Sequence, residues 1–272
     1  MELWVLGGDA RNFWAAARLR TGGLAVLTHG VPGAADTPLP EGFGTVVLPC
    51  PAVAGDCLRG EGALPLPPLL ERMDGATRVY GGLLGPWADK MRARGARVTD
   101  LWDTEPLTTA TAAVTAEGAV ALALGSTPRS LQGARCLVIG FGRIGKLLAL
   151  KLRGLSARVT VAARSAGDRA LAEGMGLEAD VTGLYQRGLF AYDLIFNTVP
   201  APVLSPMQLR RIKPDCLLLE LASAPGGFDA ALCAALGLAV RTAPGLPGVW
   251  APRTAGEQYG SAILQAMEED VP

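Results

Sequence analysis

Histidine is nearly missing from this chain of 272 residues: His29 is the single one. Catalysis by a His paired with a carboxylate must use it or be absent. Metal sites built on several His ligands are excluded, and no metal is expected. His29 falls in the Gly-rich segment THGVPG and reads as a solvated loop residue. Cysteine is scarce, five in number, with no CxxC spacing. That odd count argues against a disulfide framework or structural zinc. Cys136 and Cys216 open apolar runs and read as buried thiols. An excess of one charge is missing too: 25 Lys+Arg meet 25 Asp+Glu. A nucleic-acid partner, which needs a basic surface, is therefore not expected. The segment MELWVLGGDAR lacks a basic leader, and Asp9 and Arg11 interrupt its apolar stretch, so it does not read as a signal peptide. No run of 18 apolar residues occurs, so no membrane-spanning helix is expected and the cytoplasm is the default compartment.

What is present is a chain that is half apolar, with 35 glycines and 20 prolines but no collagen-like period. It can bury a large core and has many turns. Short apolar runs alternate with helical patterns. Leu3–Leu6, Leu24–Leu27, Thr45–Leu48, Arg78–Tyr80 and Arg97–Thr99 read as strands, with helices over 9–20 and 87–94. The Ala/Thr-rich stretch 108–124 predicts a helix without a strong polar face, buried or shared between domains. A boundary near its start gives domains 1–110 and 111–252. Past it, strands are expected at 135–139, 158–162, 193–197, 216–221 and ending at 242, with helices over 143–154 and 254–268. Thr254 and Glu257 stand at capping-box spacing. The alternation implies α/β architecture: two domains, each a parallel sheet with flanking helices, the second a Rossmann fold.

The second domain carries Gly140-Phe141-Gly142-Arg143-Ile144-Gly145, a GxGxxG. Alone the motif is weak. Here it follows an apolar strand, opens a helix, and precedes another strand at βαβ distance. Gly140 permits the tight turn, Gly142 lets backbone approach a pyrophosphate, and Gly145 lets helix and strand pack closely. The helix N-terminus, at Arg143 and Ile144, offers N–H groups and a positive dipole end. At the end of the next strand an NAD site wants an acid for the ribose 2′-OH. This chain has Ala163-Arg164-Ser165 instead. Arg164 suits a 2′-phosphate and Ser165 adds a hydroxyl, so the expected cofactor is NADP. The loop Asn197-Thr198-Val199-Pro200 follows a later strand and lies near the cofactor ribose if it lines the crevice; an Asn/Pro turn reversing the chain is the other reading.

Familiar oxidoreductase devices are missing. No Tyr is followed four residues on by Lys, and the second domain has no His. What remains is a series of Gly-rich loops: Gly7-Gly8-Asp9-Ala10-Arg11, Thr115-Ala116-Glu117-Gly118, the run from Glu220 through Pro225-Gly226-Gly227, and the run from Ala243-Pro244-Gly245 through Gly248 to Arg253-Thr254-Ala255-Gly256. In this order, together with the GxGRxG, ARS and NTxP segments, they resemble the family of dipicolinate synthase A subunits from residue 7 to residue 256. In that family's pattern an Asn and a Pro precede the Glu-Gly pair, where this chain has Thr111 and Val114; Glu220 stands where Asp is usual.

The resemblance implies NADP-dependent oxidation of dihydrodipicolinate to dipicolinate during sporulation, in the mother-cell cytoplasm. It implies a second, flavoprotein-like B subunit, and two α/β domains flanking a cleft. It also implies a C-terminal helix, 253–272, returning to the first domain. A homo-oligomer is expected. The substrate is a dicarboxylate whose oxidation gives an aromatic ring, so the site must align a C–H with the nicotinamide and take up one proton. Arg11 and Arg253 are candidates for the carboxylates, with Gly226, Gly227 and Gly248 supplying backbone N–H groups. Pro244 and Gly245 are placed beside the cofactor. Glu117, then Asp9, are candidate proton acceptors, with Arg11 beside them. Plainer readings stand alongside: Asp9 and Arg11 as an ion pair at a helix start, and Glu117 as a helix-turn residue. The rivals are another small-acid or imine dehydrogenase and a non-catalytic NADP-binding subunit.

Overall fold

The computed structural model describes residues 2–60 and 62–270. The chain divides into two compact units, Met1–Thr111 with Pro247–Pro272, and Ala112–Leu246. The first contains β1 (Glu2–Leu6), α1 (Ala10–Thr21), β2 (Ala25–His29), β3 (Thr45–Val47), the small hairpin β4 (Val53–Ala54) and β5 (Cys57–Leu58), α2 (Leu66–Leu70), β6 (Arg78–Gly81), α3 (Pro86–Ala93) and β7 (Arg97–Asp100). Helix α4 (Glu105–Ser126) leads into the second unit. There follow β8 (Arg135–Ile139), α5 (Arg143–Gly154), β9 (Arg158–Ala163), α6 (Ala166–Gly174), β10 (Glu178–Val181), β11 (Leu194–Asn197), α7 (Pro206–Leu209), β12 (Leu217–Glu220), α8 (Ala230–Ala235) and β13 (Ala239–Thr242). Helix α9 (Leu246–Trp250) leads back to α10 (Pro252–Glu269) in the first unit.

Both main sheets are parallel throughout. The first runs β2-β1-β3-β6-β7 and the second β10-β9-β8-β11-β12-β13. With the hairpin set aside, the first is the flavodoxin-like order and the second the Rossmann order. Apolar strands produce this. In β1, Leu3 and Val5 pack with α1 and α10, while Trp4 and Leu6 join a cluster containing Leu69 and Met91 of α2 and α3. In β8, Cys136 and Val138 face one core and Leu137 and Ile139 the other. A strand buried on both faces has no polar alternation, which is why these runs are continuous.

Several expectations are corrected. His29 ends β2, paired in register with Leu6, rather than lying in a solvated loop; its Nδ1 is 2.9 Å from the Thr37 carbonyl. The Thr254–Glu257 capping box does not form: α10 begins at Pro252, and Glu257 accepts from Arg253 Nε at 2.8 Å. Helix α4 is long and apolar enough to cross a membrane by length and composition alone, and half of its apolar window is buried, as in a core helix. Ala116, Ala119 and Ala123 sit in the core of the second unit. Strand β10 escaped the sequence reading because its four residues, EADV, include two acids at a sheet edge.

Candidate functional site

In open α/β sheets, ligands bind at the carboxyl ends of the strands where strand order reverses. In the second unit that point is between β8 and β11. Gly140 has φ +98°, and a Cβ there would be 2.9 Å from Val199 Cγ2 and would also collide with the Thr198 hydroxyl. A Cβ on Gly145 would run into the Gly140 carbonyl. Gly142, at the N-cap of α5, has nothing within 4 Å of its missing Cβ. The first intrahelical bond is Lys146 N–H to Gly142 O at 2.9 Å. The preceding N–H groups therefore face out of the helix end. Two glycines fix the turn and the third leaves it open on the outside, a cradle that fits a dinucleotide pyrophosphate.

At the end of β9, Arg164 is exposed, with no side-chain hydrogen bond or ion pair among the described residues. Ser165 Oγ accepts from Asp168 N–H at 3.1 Å, capping α6 and keeping its own proton available. Arg169 Nη1 binds the Ala163 and Arg164 carbonyls at 3.0 and 2.7 Å, so it closes the strand end. No acid stands at this position. The donor set suits a phosphate better than a ribose 2′-OH.

The neighbouring loops are tied inward. Asn197 is fully buried; its Nδ2 donates to Glu220 Oε1 at 2.7 Å and to the Val199 carbonyl at 2.8 Å, and its Oδ1 accepts from Val199 N–H at 3.0 Å. Thr198 Oγ donates to the Ile139 carbonyl at 2.9 Å. These two side chains shape the loop, while Pro200 is exposed. The expected anion nest at Pro225-Gly226-Gly227 is corrected. Gly227 N–H donates to Glu220 Oε2 at 2.7 Å, and Gly226 N–H to the Ser223 carbonyl at 3.0 Å. A buried carboxylate must be solvated by nearby donors, and Glu220 takes those of this loop. Pro244 and Gly245 are exposed beyond the end of β13, Gly245 with φ +69° and open space around it.

Glu117 lies in the middle of α4 rather than in a Gly-rich loop. It is exposed and accepts from Lys151 Nζ at 2.9 Å. Lys151 is eight residues along α5 from Arg143, about 12 Å from the phosphate end at 1.5 Å per residue.

In the first unit strand order reverses between β1 and β3. Asp9 follows β1 and caps α1, its Oδ1 accepting the Arg11 N–H at 2.9 Å. The Arg11 side chain grips the same carboxylate through Nε at 2.9 Å and Nη2 at 2.8 Å. Burial alone would raise the Asp9 pKa, but the Arg11 hydrogen bonds and charge outweigh it and hold it below its ordinary value. In turn Asp9 keeps Arg11 charged despite burial. Arg11 Nη1 has no hydrogen-bond partner among the described residues. Gly248 comes down on this pair: a Cβ there would be 3.1 Å from Arg11 Nε and 3.2 Å from Asp9 Oδ2. Cys50, after β3, has its thiol pushed up to about 12, mainly by burial. The buried Tyr259 hydroxyl of α10 donates to the Leu48 carbonyl at 2.6 Å. Arg253 is exposed, over the Trp14 ring at 4.8 Å and paired with Glu257. The structure thus brings Asp9, Arg11 and Gly248 together and leaves Glu117 in the other unit. The sequence reading missed the Asn197–Glu220 bond; 23 residues separate the partners, and no local pattern signals such a contact.

Rossmann order and an open Gly-rich turn at a helix N-terminus define the class: a Rossmann-type dinucleotide-binding fold of the kind dehydrogenases share. More particularly, the chain is similar to the dipicolinate synthase A subunit of Bacillus subtilis, at 28% identity over 99% of this chain and 96% of the relative. The crystal structure of that Bacillus subtilis protein superposes with a TM-score of 0.85 at 26% identity, covering 99% of this chain and 96% of that one. In fold the chain also matches the dipicolinate synthase A subunit from Bacillus halodurans (TM-score 0.87, 24% identity, 98% and 97% covered). It likewise matches a transhydrogenase from Sinorhizobium meliloti (0.73, 14%, 98% and 94%). No protein-family model matches the chain.

Proposed function

We propose that this chain is the nucleotide-binding subunit of a dipicolinate synthase, oxidising dihydrodipicolinate to dipicolinate with NADP. The observation that carries the reading is the half-satisfied guanidinium of Arg11. One edge is pinned by Asp9, and among the described residues Nη1 has no partner at the strand-order reversal of the first unit. A pinned guanidinium with a spare edge is a preorganised receptor for a substrate carboxylate. Similarity along the whole chain to a dipicolinate synthase subunit supports the same substrate.

In this reading Gly140, Gly142, Arg143, Ile144 and Gly145 hold the pyrophosphate, and Arg164 with Ser165 takes the 2′-phosphate. The nicotinamide supplies a hydride acceptor when bound. Substrate loses a hydride from one ring carbon and a proton to solvent or to Asp9, and becomes aromatic. Asp9, held below its ordinary range, is a weak base. The ring's own gain in stability drives the step, and Asp9 serves first to orient Arg11. Arg253 is a second carboxylate contact. The same reading includes a homo-oligomeric state, a cytoplasmic location and a partner subunit.

A non-catalytic nucleotide-binding role is the second reading. It is favoured by the tie between Glu117 and Lys151, which removes the other candidate acceptor. Steady-state kinetics with freshly generated dihydrodipicolinate separate the two. Arg11→Ala raises KM for the diacid at least tenfold with little change in NADP affinity if Arg11 binds substrate. Unchanged kinetics in this variant would remove the substrate assignment.

A further inference from the structure

Glu220 has no place in the function just described, yet it is the most heavily engaged carboxylate at the second unit's strand ends. It is 6% exposed, at the last position of β12. Four donors converge on it. Oε1 accepts from Asn197 Nδ2 at 2.7 Å and Ala222 N–H at 3.2 Å; Oε2 accepts from Gly227 N–H at 2.7 Å and Phe228 N–H at 3.2 Å. No Lys or Arg pairs with it among the described residues. A protonated carboxyl would need an acceptor for its hydrogen, and all four neighbours are donors, so the geometry calls for the carboxylate. Two glycines make room: a Cβ on Gly226 would sit 3.0 Å from Oε2, and one on Gly227 would overlap the Asn197 amide.

The position gives this arrangement a consequence. Asn197 ends β11 and Glu220 ends β12, and the two are register partners in adjacent strands. The bond between their side chains joins the 197–200 loop to the 221–228 loop. A dinucleotide crossing the crevice with its 2′-phosphate at Arg164, beyond β9, extends its other half toward β11 and β12. That half carries the nicotinamide, which is cationic when oxidised and neutral when reduced.

We infer that Glu220 is a positioning residue that clamps these two loops into one rigid edge and, through its uncompensated charge, biases the unit toward the oxidised nucleotide. The inference rests on the nucleotide-binding reading for its second half only. The test has two arms. Amide hydrogen exchange on the intact chain without nucleotide is compared between the parent, Glu220→Gln and Glu220→Asp. Glu220→Gln places an amide donor among donors. Exchange speeds up in both loops together, while α5 and β9 are unchanged. Faster exchange confined to 221–228 overturns the clamp, as does no change. Calorimetric titration with NADP and with NADPH forms the second arm. Glu220→Gln lowers the preference for the oxidised over the reduced form on the order of tenfold, as expected for loss of one buried charge. Glu220→Asp, which keeps the charge, retains the preference. If Glu220→Gln does not fold, Glu220→Asp carries the test: a parental preference with looser loops supports the inference, and a lost preference contradicts it. An unchanged preference in Glu220→Gln, with tight binding by the parent, overturns the electrostatic half and leaves the function intact. If the parent binds neither nucleotide, the proposed function and the electrostatic half fail, and the exchange arm still decides the clamp.

Discussion

A 2′-phosphate carries nearly two negative charges at neutral pH, and an exposed Arg164 with no side-chain partner among the described residues is a ready match for it. Arg164→Asp should weaken NADP binding by roughly ten- to a hundredfold, the usual cost of one charge-assisted pair, and improve NAD binding. Calorimetry with both nucleotides checks this; equal affinities before and after the change would show that Arg164 does not read the phosphate. Gly140 is a second residue-scale case. Its φ of +98° and the nearness of Thr198 and Val199 mean that Gly140→Ala is strained in both backbone and packing. It should cost about 2 kcal/mol or more of stability in urea unfolding and reduce nucleotide affinity. Asp9 gives a pH prediction. Its folded pKa is depressed, so the stability it contributes is fully present above the ordinary Asp value of ~3.9 and is lost as pH falls through the lower folded value. Asp9→Asn should therefore flatten the acid limb of stability against pH. An unaltered acid limb would mean that the Arg11 grip does not persist in solution.

At the scale of elements, α10 shows how close packing fixes a segment distant in sequence. Its Gly256 and Gly260 lie against α1: a Cβ on Gly256 would be 2.6 Å from Trp14 Cβ, and one on Gly260 would be 2.9 Å from Arg18 Cβ. Gly256→Val should cost about 1–3 kcal/mol by overpacking and lower the melting temperature, with nucleotide binding little changed. A neutral effect would contradict the tight α1–α10 contact. Strands with continuous apolar runs, such as β8 and β9, were legible in sequence because burial on both faces leaves no other pattern. The GxGxxG turn was legible because each glycine answers a separate steric demand. The short edge strand β10 and helix α9, which contains Pro247 and Gly248, were not: local composition there resembles a loop and tertiary contacts decide. The Gly226–Gly227 segment misled for a related reason. Its N–H groups look like an anion nest until the fold turns the Glu220 carboxylate onto the Gly227 N–H and the Ser223 carbonyl onto the Gly226 N–H.

At the scale of the molecule, two parallel sheets of different strand order each offer a reversal point, one with an open Gly-rich turn at a helix start and one with a pinned arginine. In the proposed reaction the turn takes the nucleotide and the arginine takes the dicarboxylate. It is tested most directly by incubating the purified full chain with NADP and freshly prepared dihydrodipicolinate, following reduced nicotinamide and dipicolinate together. The account predicts that both accumulate in equal amounts, and that Arg11→Ala slows both at least tenfold at low substrate. Dipicolinate appearing without NADPH, or at a rate no greater than in the absence of protein, would contradict it.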